Sequence, residues 1–108
     1  MSYLELVAML ETLGIPVAYD HFDDAVTLPF ITINDVGNVP LYADDINYWD
    51  SIDYDINYHF KLKNPEEENR LEELFKDNHL LYTTTTDIWI EDEKRYLKTY
   101  EVNINDKK

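Results

Sequence analysis

Ser51-Ile52-Asp53-Tyr54-Asp55-Ile56-Asn57-Tyr58-His59-Phe60-Lys61-Leu62-Lys63 is the stretch on which the fold turns. Ile52, Tyr54, Ile56, Tyr58, Phe60 and Leu62 take every second position, and Asp53, Asp55, Asn57, His59, Lys61 and Lys63 take those between. A β-strand sends successive side chains to opposite faces, so this period of two predicts a long strand with one core face and one wet face. Immediately after it, Asn64 is placed to cap a helix with Pro65 at its first position. Glu66, Glu67 and Glu68 follow in the first turn, where the positive end of the helix dipole favours carboxylates. Leu71, Leu74 and Phe75 supply the buried stripe, and the helix is expected to end near Asn78.

Working outward, the chain begins with a second helix, from Tyr3 to Leu13. Ser2 and Glu5 have capping-box spacing, Leu6, Val7, Leu10 and Leu13 share a face, and Gly14 with Pro16 stops the element. Val17–Tyr19 and Phe30–Asn34 read as short strands joined by an acidic loop. Asp35–Asp50 shows no sustained period and reads as a long loop, a length that in a small domain is usually either functional or disordered. From Leu80 onward, Tyr82, the threonines Thr83 to Thr86, and Ile88 to Ile90 favour extended structure. Glu91 to Lys94 make a polar turn, and Tyr96, Tyr100, Val102 and Ile104 lie on one phase of the returning arm. Lys98 breaks that apolar phase. The expected architecture is a single α+β domain over residues 1–108, an antiparallel sheet with two helices packed on it, a long loop after the second strand and a C-terminal β-hairpin.

Composition narrows the chemistry. With 108 residues, 44% of them hydrophobic, the chain has material for one core. The formal net charge is −14, unevenly placed: residues 1–60 hold 11 acids and no Lys or Arg, while residues 61–108 hold 12 acids and all 9 bases. Such a balance argues against nonspecific binding to nucleic acid or anionic lipid. No cysteine is present, which excludes disulfides, thiolate metal sites and a cysteine nucleophile, and fits an intracellular setting. The acid-bearing, spaced apolar pattern of the first residues does not read as a signal peptide, and no stretch is long and apolar enough to be a membrane span.

Catalytic signatures are weak throughout. Asp53, Asp55 and His59 share a strand face but lack a second histidine or a Gly-rich anchor, so a solvated strand face accounts for them better than a metal or acid–base site. Asp20, Asp23 and Asp24, and likewise Asp44 and Asp45, lack calcium-loop spacing. Ser2 and Ser51 sit in no nucleophile elbow, and the isolated Gly14 and Gly37 build no phosphate loop. No enzymatic activity, cofactor or metal is expected. The surplus features point to assembly: Leu41, Tyr42, Ile46, Tyr48 and Trp49 in the long loop are a candidate inter-subunit arm, since aromatics anchor protein interfaces. The other reading is a loop folded back over the core.

Four segments carry a family resemblance. They are Leu13-Gly14-Ile15-Pro16-Val17-Ala18-Tyr19 with Phe22; Leu28-Pro29-Phe30-Ile31; Ala43-Asp44-Asp45 with Tyr48; and Trp89-Ile90-Glu91-Asp92-Glu93-Lys94-Arg95-Tyr96 with Tyr100-Glu101. Together they resemble small proteins of the head–tail module of siphophages and of prophages of Gram-positive bacteria. The order of elements is similar to that of the tail terminator, or tail-to-head joining, family. The resemblance implies a ring, usually a hexamer, that caps the tail tube and joins it to the head. It implies as partners further copies of the chain, the major tail tube protein and a head-closure neck protein. It places the protein at the virion head–tail junction, and in the host cytoplasm during assembly. An acidic lumen suits such a conduit because carboxylates repel sliding DNA phosphates, and Asp44, Asp45, Asp53 and Asp55 are the candidate lumen residues. The alternatives are another neck component and, from a different class, an acidic DNA mimic that inhibits a nuclease or restriction enzyme.

Overall fold

The structure, a computed structural model, describes residues 2–35 and 51–105. The proposed arm residues Leu41, Tyr42, Ile46, Tyr48 and Trp49 and the Asp44–Asp45 pair lie outside the described residues. Helix α1 spans Tyr3–Glu11 and opens with the full capping box: Glu5 N donates to Ser2 Oγ at 3.2 Å, and Ser2 N donates to the Glu5 carboxylate at 2.7 Å. Its C-cap is Thr12, and Gly14 takes a positive φ of 83° that releases the chain into strand β1, Val17–Tyr19. Strands β2 (Phe30–Asp35) and β3 (Ser51–Phe60) follow, then helix α2 (Pro65–Asp77), the short strands β4 (Tyr82–Thr84) and β5 (Ile88–Ile90), and the long β6 (Arg95–Asn105).

The six strands form one sheet in the order β1-β2-β3-β6-β4, with β5 also on β6. β6 is paired along its length with β3, and on its other side takes β4 against Tyr100–Val102 and β5 against Arg95–Leu97. The β5–β6 turn at Glu91–Lys94 makes the expected C-terminal hairpin. All pairs are antiparallel except β1–β2, which is parallel with Val17 opposite Ile31. The expected antiparallel sheet therefore holds with one departure, and the reason lies in residues 20–29. That ten-residue segment spans up to about 33 Å, enough to carry the chain back past a three-residue strand before β2 begins.

Both helices lie on one face. Leu6, Met9 and Leu10 of α1 and Leu71 and Phe75 of α2 bury against Ile31, Ile33, Tyr54, Ile56, Tyr58, Phe60, Tyr100, Val102 and Ile104. The predicted core phase of β3 is observed at Tyr54, Ile56, Tyr58 and Phe60, but His59 on the other phase is buried too, and the strand ends at Phe60, leaving Leu62 81% exposed. α2 is also tied to the sheet by polar contacts. Tyr58 Oη donates to Glu67 at 2.7 Å and Tyr100 Oη to Glu72 at 2.9 Å. Burial, reinforced by the accepting carboxylates, pushes both phenols well above their ordinary range. Lys98, the exception in the apolar phase, reaches Glu68 at 3.4 Å and Asp87 at 3.9 Å. Lys63 meets the same two carboxylates at 2.9 Å each.

Candidate functional site

The face opposite the helices carries β3 residues Asp53, Asp55, Asn57 and His59, opposite β6 residues Asn103, Glu101, Thr99 and Leu97. At its centre runs a ladder of side-chain hydrogen bonds. Thr99 Oγ1 donates to Asn57 Oδ1 at 2.9 Å, Asn57 Nδ2 to Asn34 Oδ1 at 2.8 Å, and Asn34 Nδ2 to Asp20 Oδ1 at 2.6 Å. The ladder links β6, β3, β2 and the end of β1 across the face, and it separates two chemically different halves.

On one side of it lies an acidic patch. Asp53 and Asp55 follow each other on the same face, about 6.5–7 Å apart at strand spacing. Glu101 stands directly across from Asp55. At such separations a pair of carboxylates repels by an amount of order 1 kcal/mol. Partial burial first, and the Asp53 charge second, raise the Asp55 pKa above the usual carboxylate range. One neutral tie relieves the crowding: Asn103 Nδ2 donates to Asp53 Oδ1 at 2.7 Å. Asp53 and Glu101 also line a shallow hollow of about 190 Å³ with Leu81, Tyr82, Thr83 and Asn103. The structure therefore brings two of the four candidate lumen residues, Asp53 and Asp55, onto one surface. It adds Glu101, which alternation placed on the polar phase of β6 but which only strand pairing sets beside Asp55.

On the other side the face is covered rather than wet, a correction to the expected solvated strand face. His59 is 8% exposed; its ring stacks on Phe30 at 4.6 Å between centroids, and its Nε2 lies 3.0 Å from Thr32 Oγ1. Phe22 packs edge-on against Phe30 at 5.3 Å, and the Arg95 guanidinium sits 5.2 Å from the Phe30 ring centre. Burial, with help from the Arg95 charge, lowers the His59 pKa to about 4, so the ring is neutral at physiological pH. His59 lies four residues beyond Asp55, about 13 Å along the strand, and the two do not converge. Among the described residues no group of three or more His, Asp or Glu side chains is arranged to hold a metal ion. Nor does any described helix have the length and apolarity to cross a membrane.

The arrangement can repel anions, pair with cations and bear against another polypeptide. Its one described hydroxyl beside an imidazole, Thr32 Oγ1 at 3.0 Å from His59 Nε2, is buried together with the ring. No protein-family model matches the chain, and a search of curated proteins finds no match.

Proposed function

We propose that this chain is a structural subunit that assembles with copies of itself into a ring. Within that class, we propose the tail terminator of a siphophage or prophage, capping the tail tube and joining it to the head through a head-closure neck protein. The observation that supports the reading best is the acidic patch of Asp53, Asp55 and Glu101 on the helix-free face, in a molecule of net charge −14. Facing a lumen, that patch repels the phosphates of DNA in transit and keeps the conduit from holding them. The segment resemblances supply the particular station in the virion, and another neck component is the near alternative.

Electron microscopy of lysates from a phage or prophage with an early stop codon in this gene tests the assignment. Overlong or unjoined tubes beside DNA-filled heads are the expected result. Free tails of normal length beside leaking heads would move the protein to head closure, and normal virions would reject both roles. One further reading draws on the same patch: carboxylates at regular strand spacing suit a DNA mimic that blocks a basic enzyme. It predicts salt-sensitive capture of a nuclease and no self-assembly.

A further inference from the structure

We propose that a groove at the end of the sheet away from the acidic patch seats a second copy of this chain, through that copy's Leu41–Asp50 stretch. The inference deepens the ring reading above and rests on it. The groove has a volume of about 380 Å³ and is walled by Leu28, Pro29, Phe60 and Leu62, with Lys61 and Lys63 on its rim. Its aromatic wall continues outward. Phe60 stacks on Tyr96 at 5.4 Å, Tyr96 meets Trp89 edge-on at 4.9 Å, and Tyr96 and Trp89 are 36% and 41% exposed. Exposed aromatic and aliphatic side chains grouped beside a groove are the chemistry of a protein interface.

Charge selects the occupant. Lys61 makes no ion pair among the described residues; its Nζ donates to the Lys94 carbonyl at 3.2 Å and lies 5.8 Å from the Trp89 ring centre. Lys63 is shared between Glu68 and Asp87, and Glu67 at the groove wall is engaged by Tyr58. The partner that fits carries large apolar anchors and carboxylates without bases. Leu41–Asp50 has that composition: Leu41, Tyr42, Ile46, Tyr48 and Trp49 with Asp44, Asp45 and Asp50, and no Lys or Arg.

Reach excludes the chain's own groove for the main anchors. Ser51 and Phe60 are the two ends of β3, about 30 Å apart at the rise of a strand. Tyr48 and Trp49 precede Ser51 by three and two residues, which confines them to within about 11 Å of it. Only another copy can present them to the groove. The contact is heterologous, the arm of one subunit against a different surface of the next, and this kind of contact closes into rings.

The absence of native cysteine allows a direct test. A double variant, Asn47→Cys with Leu62→Cys, keeps every aromatic anchor, and its two positions are too far apart to meet within one chain. Mild oxidation of the concentrated protein is expected to give a covalent ladder beyond dimers. Each single variant stops at dimers, and adding Lys61→Glu to the double variant lowers the ladder yield severalfold. Native mass spectrometry of the unmodified chain runs alongside. Oligomers without a ladder overturn the groove and leave the ring standing; a chain that stays monomeric with no ladder overturns the groove and counts against the ring as well.

Discussion

Lys98 stands where the alternation of Tyr96, Tyr100 and Val102 calls for an apolar side chain, and its ammonium is held instead by Glu68, whose side chain is 7% exposed, and by Asp87. A buried carboxylate that loses a cation loses compensation for its desolvation, which typically costs about 3–5 kcal/mol when no partner remains. Lys63 stays within 2.9 Å of Glu68, so Lys98→Met is expected to cost less, about 2 kcal/mol, in urea denaturation. An unchanged midpoint would show that the Lys63 pair alone suffices. His59 makes the complementary case, a titratable group kept neutral. Arg95 from β6 and Asp20, His21 and Asp24 from the crossing segment line the same hollow. An unfolded imidazole takes up its proton near 6.5, whereas the buried ring resists until about 4. Between those values the unfolded state binds more protons, so stability is full above about pH 6.5, falls as pH drops and levels off below about 4. The loss amounts to at most about 3 kcal/mol. His59→Gln is expected to flatten this window relative to the parent in thermal melts from pH 7 to pH 4, and parallel curves would refute it.

At the level of elements, the two helices are specified locally at their N-termini and globally at their faces. Ser2 with Glu5 begins α1, and Asn64, whose Oδ1 accepts from Glu67 N at 3.2 Å, begins α2. Ser2→Ala and Asn64→Ala are each expected to cost about 1 kcal/mol in chemical denaturation while leaving the circular dichroism of the folded state unchanged. These caps were legible in the sequence because every group involved lies within three residues. The direction of β1 against β2 was not legible. Val17–Tyr19 and Phe30–Asp35 have the same composition whether they pair parallel or antiparallel, and the choice depends on where residues 20–29 cross. Phe22 on Phe30 and Asp20 on Asn34 hold that crossing against the helix-free face. The same cover explains why His59, a polar-phase residue, is buried.

For the whole molecule, the separation of chemistry between the two ends of the sheet carries the functional argument. One end presents Asp53, Asp55 and Glu101, and the other presents Trp89, Tyr96 and Leu62 with Lys61. Asp53→Lys combined with Asp55→Lys replaces like charges by cross-strand pairs with Glu101, so the fold is expected to survive. On the tail-terminator reading proposed above, virions carrying the same double variant are expected to eject their genome more slowly, and ejection at the parental rate would count against a lumen role for these residues. Replacing residues 38–48 by a short Gly-Ser linker should leave the thermal transition of the monomer in place, because the β2–β3 register is set by pairs from Phe30–His59 to Asp35–Tyr54. It is expected to abolish rings in electron micrographs, and persisting rings would exclude the arm from the assembly contact.

What the sequence by itself determined is what short-range physics controls: the period-two strand, read over residues 51–63 and formed over 51–60, the capped helices, the C-terminal hairpin and the uneven charge along the chain. Alternation and capping depend on neighbours a few positions apart, so one chain read in order contains them. Only the tertiary structure decided which distant groups meet. Glu101 joins Asp55 because β6 pairs with β3 in one register, Lys98 is tolerated in the core phase because α2 and the loop before β5 bring Glu68 and Asp87 to it, and His59 loses its water because a ten-residue crossing covers it. The groove arises in the same way, from Leu28 and Pro29 before β2, the end of β3 and the start of α2, with Trp89 and Tyr96 of the β5–β6 hairpin beside it. Such encounters are fixed by sheet register and chain crossing, which no local pattern of residues encodes.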